Sequence, residues 1–194
     1  AQNNDAANHN VAVGSSAGAA ITTGTENTLL GGLAGTALTT GIRSVLLGYQ
    51  AGDALTEGQE NIAVGKSALS ADTLGSRATA VGKSALANQN FTTATQNYNV
   101  AVGYEAGKQI TTGVENTIIG GLAGDALTDA DYNVAVGVAA LGADTLGSQS
   151  VAIGYSALES QNFTTATNSL NVAVGYQAGR AVTTARGVTL VGNQ

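Results

Sequence analysis

Few side chains in this sequence have types and spacings that could carry out catalysis. The single histidine, His9, has no second histidine with which to bind a metal ion or complete a catalytic triad, and there is no cysteine. Asp72 and Asp144 stand in two copies of Ala-Asp-Thr-Leu-Gly at an offset of 72 residues, whereas a glycosidase needs two facing carboxylates. An Asp that accepts hydrogen bonds from backbone N–H groups in a turn is the simpler interpretation. We therefore predict no enzyme activity, no cofactor and no metal site.

Lysines and tyrosines suggest binding rather than catalysis. Lys66 and Lys83, with Arg77 between them in the sequence, could hold an anionic glycan, although a solvated surface pair is the simpler interpretation. Four tyrosines occupy one shared position of the repeat described below: Tyr49, Tyr104, Tyr155 and Tyr176. Exposed Tyr can stack on sugar rings, but rings that cover seams between coils or chains are the simpler interpretation.

The composition indicates an ordered chain with a thin core. Hydrophobic residues make up 43% and charged residues only 10%, against about 25% in average domains. The 27 glycines occur without any proline, which favours ordered turns over Gly-rich disorder. The net charge of −6 disfavours nucleic acid and anionic membrane surfaces as partners. No run of 18 or more apolar residues is present, so we expect no membrane insertion.

A repeat runs through the sequence and dominates its organisation. Each repeat unit contains a Val-Ala-Val-Gly-like run, and we call the glycine that ends this run the anchor glycine. The anchor glycines are Gly14, Gly31, Gly48, Gly65, Gly82, Gly103, Gly120, Gly137, Gly154, Gly175 and Gly192. They are 17 residues apart, except for two spacings of 21. Such a period predicts an all-β fold, a parallel β-solenoid of about eleven coils, forming a single domain over residues 1–194.

The three residues before each anchor glycine form the predicted strand. The first and third of them are β-branched or Leu throughout, which predicts a short strand with that side in a core. The middle residue points to the opposite face and is also never polar. Because the chain offers no helix to cover a second apolar face, we predict that these middle residues form an interface between chains. They are Ala12, Leu29, Leu46, Ala63, Ala80, Ala101, Ile118, Ala135, Ala152, Ala173 and Leu190.

Other positions of the repeat predict further structure. The third residue after the anchor glycine is always Ala, from Ala17 to Ala178, which indicates a tight internal corner. A second short strand is predicted around apolar residues four positions later: Ile21, Leu38, Leu55, Ile110, Leu127 and Val182. Thr-Thr-Gly or a variant then forms a turn.

Asparagine recurs four residues before the anchor glycine in seven coils. These residues are Asn10, Asn27, Asn61, Asn99, Asn116, Asn133 and Asn171. A row of ligand-binding amides is one interpretation. We favour an Asn ladder, in which the side-chain amides hydrogen-bond from coil to coil.

The motif Asn-Val-Ala-Val-Gly-Tyr-x-Ala, at Asn99–Ala106 and Asn171–Ala178, resembles the head repeats of YadA-like trimeric autotransporter adhesins and the β-roll repeats of bacteriophage tail fibres. The resemblance covers nearly the whole chain, although coils of 17 or 21 residues are longer than the adhesin repeat. It implies a left-handed β-roll, a homotrimer and an extracellular place on a cell surface or virion fibre. It also implies attachment to a host or matrix receptor, either a glycan or a protein.

Two alternative functions fit the repeat as well. An ice-binding or other ligand-binding solenoid is one, since Thr-Thr recurs at residues 22–23, 39–40, 111–112 and 183–184. The Thr row is interrupted at Thr56-Glu57, Thr73-Leu74 and Thr128-Asp129, which argues against a flat ice-binding face. A self-polymerising extracellular filament without a receptor is the other alternative.

Overall fold

A computed structural model describes residues 8–194, so that residues 1–7 of the predicted domain lie outside the described part. It contains eleven parallel strands of three residues in one sheet, and each strand pairs with the equivalent strand of the next coil. These strands are β1 (Val11–Val13), β2 (Thr28–Leu30), β3 (Val45–Leu47), β4 (Ile62–Val64), β6 (Thr79–Val81), β8 (Val100–Val102), β9 (Thr117–Ile119), β10 (Val134–Val136), β12 (Val151–Ile153), β14 (Val172–Val174) and β15 (Thr189–Val191). The predicted all-β solenoid of about eleven coils is confirmed, and residues 8–194 contain no helix.

The two coils with a 21-residue spacing carry additional strand pairs. In the first, β7 (Thr95–Gln96) pairs with β5 (Gly75–Ser76) of the preceding coil. In the second, β13 (Thr167–Asn168) pairs with β11 (Gly147–Ser148). The extra residues extend the turn region, which buries Phe91 and Phe163 beneath it while the threonines that follow them are exposed.

The anchor glycines end the strands in a backbone conformation that other residues rarely adopt. Their φ angles lie between 132° and 143°. From Gly14 to Gly175, a Cβ atom at this position would come closer than 3.0 Å to the carbonyl group of the anchor glycine in the next coil. The period of the sequence therefore reflects a close backbone approach repeated at every coil.

The core is a narrow column built from the middle strand residues and the alanines that follow the anchor glycines. The fourth residue after the anchor has positive φ and is either Gly or Leu. Where it is Leu, as at Leu69 and Leu86, the buried residue three positions later is polar; where it is Gly, that residue is Leu, Ile or Val. A Cβ on Gly35 would come close to the side chains of Leu29 and Leu46. A coil therefore places a large apolar side chain either at the fourth position after the anchor glycine or three positions later, and this keeps the core column evenly filled.

The predicted second strand is wrong. Leu38, Leu55 and most of their equivalents are buried in the core, but their backbone forms no strand and directly follows a turn. The turns still hydrogen-bond to the next coil, for example Gly35 N–H to the carbonyl of Ala51 at 3.0 Å and Thr39 N–H to that of Thr56 at 2.9 Å. The apolar side chains at this position are therefore buried beneath a turn. Their periodicity in the sequence is the same as that of a short strand, so it did not distinguish the two structures.

Candidate functional site

The middle residues of the strands lie inside the coil and cannot form the predicted interface between chains. From Leu29 to Ala173 each is fully buried by its own chain, and Ala12 and Leu190 are partly buried against the same core. The sequence pattern is apolar on both strand faces, so it did not reveal which face points inward. The prediction for Ala12, Leu29, Leu46, Ala63, Ala80, Ala101, Ile118, Ala135, Ala152, Ala173 and Leu190 is therefore corrected to a core role.

The opposite strand face is the exposed apolar surface. We define the outer face as the first and third residues of the eleven three-residue strands. Eight apolar side chains on it are exposed, including Leu30, Ile62 and Ile119. The other apolar ones are half-buried between neighbouring coils, and the remaining positions are threonines such as Thr28 and Thr189. With neighbouring strands about 4.8 Å apart, the face is roughly 50 Å long and roughly 10 Å wide. It carries no charged residue.

Tyrosines line both long edges of the outer face. All six tyrosines of the chain are 47–54% exposed. Tyr98 and Tyr132 precede their strands, and the other four directly follow an anchor glycine: Tyr49, Tyr104, Tyr155 and Tyr176. Tyr is enriched at binding surfaces because one end of its ring is apolar and the other forms hydrogen bonds.

The edge that follows the anchor glycines combines these tyrosines with two lysines. We call the residues directly after the anchor glycines the tyrosine–lysine edge. Lys66 Nζ lies 6.0 Å from the ring centre of Tyr49, and Lys83 Nζ lies 4.9 Å from that of Tyr104. Tyr155 stacks on the next ring, that of Tyr176, with centroids 5.3 Å apart. Each contact joins neighbouring coils, as the in-register pairing of the strands requires.

The other edge carries a ladder of alternating charges. Glu60 contacts Arg43 at 3.0 Å and Arg77 at 2.9 Å, and Arg77 lies over the ring of Tyr98. The hydrogen bond from Arg77, with the charge of Arg43, holds the pKa of the Glu60 carboxyl below its usual range. Arg77 precedes strand β6 whereas Lys83 follows it, so Arg77 belongs to a different edge from the two lysines.

The Asn ladder is present, and its bonds are as regular as the repeat. In all seven asparagines the side-chain oxygen accepts the backbone N–H of the equivalent residue in the next coil at 2.9–3.0 Å. The amide nitrogen donates to the carbonyl of the residue 14 positions later at 2.7–2.9 Å. Among the described ladder asparagines, direct bonds from one asparagine amide to another occur only between Asn27 and Asn10 and between Asn116 and Asn99. Asn99 and Asn171 instead donate a second hydrogen bond to the side chains of Gln89 and Gln161. Six of these side chains are buried, Asn10 is half-buried, and all seven are engaged in hydrogen bonds, so they are part of the scaffold rather than a surface for ligands.

Asp72 and Asp144 are buried carboxylates, each paired with a glutamine of the next coil. Asp72 accepts hydrogen bonds from the backbone N–H groups of Gly75 and Phe91 at 3.0 and 3.1 Å, as expected for a turn. Its other oxygen accepts the side-chain amide of Gln89 at 2.6 Å, and Asp144 is bound by Gln161 at 2.5 Å. Sequence reasoning missed the glutamines. The signal was available, because Asp and Gln stand where other coils place Leu, Ile or Val.

Burial raises the pKa of the Asp72 carboxyl despite these hydrogen bonds. Above about pH 3.9 the unfolded carboxyl ionises freely while the folded one still holds its proton, so the folded state loses stability as the pH rises. We expect the stability of the wild-type protein relative to Asp72→Asn to fall from about pH 4 upward and to level off above the folded pKa. Urea unfolding of both proteins across pH 3.5–8 measures this difference.

Glu60→Gln provides a comparison of opposite sign, because the pKa of Glu60 is lowered in the folded protein. The stability of the wild type relative to this variant should rise with pH over the range in which carboxyls titrate. Parallel curves for the two variants would contradict the assignment of Asp72 as a carboxyl disfavoured by burial.

The remaining predicted features lie apart from this surface. His9 is exposed, and residues 8–194 contain no group of three or more side chains able to hold a metal ion. In three of the four Thr-Thr pairs the first hydroxyl donates a hydrogen bond to a carbonyl of the next coil at 3.1–3.3 Å, from Thr22, Thr39 and Thr111. Within the described residues, no helix is long and apolar enough to span a membrane.

The fold and this surface define a class of protein, a parallel β-solenoid with an apolar outer face between polar and aromatic edges. Comparison of the chain with protein-family models, curated proteins and solved structures found no match.

Proposed function

We propose that this chain is a structural and adhesive segment of a surface fibre of the trimeric-adhesin or phage tail-fibre type, and that it acts as a homotrimer without enzyme activity. The segment would be extracellular, on a cell surface or a virion, and would engage a glycan or protein receptor. The outer face is the observation that carries this proposal. It replaces the middle strand residues as the proposed contact between chains.

The size and composition of the outer face favour a self-associating surface. A face of roughly 50 by 10 Å is at the upper end of the apolar patches that monomers expose, about 300–600 Å². It is continuous along the rod, and its β-branched side chains are held in register by the strand pairing. Tyrosines at both edges supply the amphipathic rim that protein interfaces commonly have.

A second copy of the same chain is the partner that fits this surface best. The face repeats every coil, so only a partner with the same repeat could match it along its whole length. The number three and the left-handed winding come from the resemblance to adhesin and tail-fibre repeats. A regular rod also suits a fibre, since each coil contacts only its neighbours and length can be added by duplication.

The native mass tests the proposal. Light scattering should give three times the 19.0 kDa chain mass for the wild-type protein. Replacing Val64 and Val136 by Glu on the outer face should give the mass of a single chain, because carboxylates would be buried unpaired in the interface. The far-UV circular dichroism spectrum should remain that of the wild type.

Thr92→Glu with Thr164→Glu is the matched control, because it adds the same charge on exposed turns of the long coils. This variant should keep the wild-type mass. A folded wild-type protein with the mass of a single chain would refute the trimer, and equal effects of both double variants would mean that added charge, rather than position, separates the chains.

A further inference from the structure

The tyrosine–lysine edge contains two neighbouring positive charges with few carboxylates close to them. Lys66 and Lys83 occupy the same position in neighbouring coils, so their backbones are about 4.8 Å apart. Like charges in register destabilise a sheet pair. Elsewhere the protein places opposite charges in such positions, as in the ladder of Arg43, Glu60 and Arg77.

The two lysines also lack close carboxylate partners. Lys66 has no carboxylate within 4.0 Å among residues 8–194. Lys83 reaches only Glu105, at 3.8 Å, and that carboxylate is held more closely by Lys108 at 3.1 Å. In a chain of net charge −6, this edge therefore concentrates positive charge that Glu105 offsets only in part and that a bound anion would neutralise.

Aromatic rings flank the pair on both sides. Reading along the rod, the edge runs Tyr49, Lys66, Lys83, Tyr104, one residue per coil. The two rings are three coils apart, or roughly 14 Å. Each is about half exposed, so a ligand can reach it while the neighbouring lysine is within 6.0 Å of its centre.

We propose that Tyr49, Lys66, Lys83 and Tyr104 form a binding site for an acidic glycan. A carboxylate or sulfate group bridges the two ammonium groups, and sugar rings on either side lie on the two tyrosine rings. The spacing along the rod matches an extended oligosaccharide lying parallel to the rod axis. This assignment rests on the proposed adhesive function and gives its receptor a chemical class.

Binding of a heparin-derived sulfated hexasaccharide, measured by titration calorimetry in low salt, tests the site. The wild-type protein should bind it, and should not bind an uncharged chitin hexasaccharide. Lys66→Gln with Lys83→Gln should weaken binding at least about tenfold, since two charge-assisted contacts are lost. Arg180→Gln with Arg186→Gln removes the same charge from residues that contact Glu159 and the carbonyl of Asn168 instead, and should leave the affinity within about twofold.

Two tyrosine variants separate a built site from general charge attraction. Tyr104→Ala should weaken binding severalfold, whereas Tyr132→Ala, equally exposed on the opposite edge, should not. Equal losses from the lysine double variant and from its charge-matched control, or no binding by the wild-type protein, would overturn the site. Because the native mass is measured on the same samples, a trimer that binds no sulfated glycan would refute this site alone and leave the proposed assembly intact.

Discussion

Replacing Gly120 by Ala is expected to destabilise the protein by about 4 kcal/mol or more, or to prevent folding. Gly120 has a φ angle of 136°, and its added Cβ would come closer than 3.0 Å to the carbonyl group of Gly137 in the next coil. The backbones of Gly120 and Gly137 are both hydrogen-bonded to the preceding coil, so neither glycine can move away without breaking contacts between coils. The stack of coils would be interrupted at its centre, where the end coil of each half is covered by the other half.

The neighbouring Gly121 provides a control one residue away. A Cβ there would meet nothing within 4 Å, and its φ is not in the left-handed region, so Gly121→Ala should change stability by no more than about 0.5 kcal/mol. Gly187 has a φ of 64° and open space around it, so Gly187→Ala measures only the cost of the left-handed backbone conformation. We expect this cost to lower the free energy of unfolding by about 1–2 kcal/mol. Urea unfolding should therefore rank the three variants as Gly120, Gly187 and Gly121. Similar losses for Gly120→Ala and Gly187→Ala would show that the close approach between coils is less rigid than described.

The second large effect is expected from the Asn ladder. Asn133→Ala should cost roughly 2–5 kcal/mol, because it leaves the N–H of Ser150 and the carbonyl of Gly147 buried without partners. Each of these groups lies inside the stack, where water cannot replace the lost bond without opening the coil. Thermal unfolding should show the loss as a lowered midpoint.

Asn133→Asp separates hydrogen bonding from packing, because it keeps the size of the side chain. The carboxylate can still accept the Ser150 N–H but would place an oxygen against the carbonyl oxygen of Gly147, so we expect strong destabilisation at neutral pH. The exposed Asn88 is the control, and Asn88→Ala should stay within about 0.5 kcal/mol of the wild type. If Asn133→Ala were equally mild, the ladder would contribute register rather than stability.

The buried carboxylates illustrate how far sequence reasoning reaches in a repeat protein. The turn role of Asp72 could be predicted from its own neighbours, since Gly75 is three residues away. Its pairing with Gln89 depends on which residues the stack places beside each other, and that follows only once the 17-residue offset is applied position by position. Two polar residues in a column of Leu and Ile were the visible sign.

The lysines show the same difference. Lys66 and Lys83 could be placed in neighbouring coils from the spacing of their anchor glycines. Sequence proximity wrongly grouped Arg77 with them, although a strand separates Arg77 from Lys83 and its partners are Glu60, Gln96 and Tyr98. The absence of a close carboxylate beside Lys66 could be learned only from the positions of the side chains.

The sequence by itself determined the period, the strands before each anchor glycine and the Asn ladder, because each depends on residues that recur at one offset in every coil. Only the tertiary structure decided which strand face points inward. Val-Ala-Val is apolar on both faces, so hydrophobicity does not choose between them; the turn at the anchor glycine directs Ala135 into the column and Val134 and Val136 outward. The core column is narrow, and the small Ala135 leaves room in it for the large side chain of Leu141. The β-branched residues of the strand therefore lie on the surface, at the proposed contact between chains.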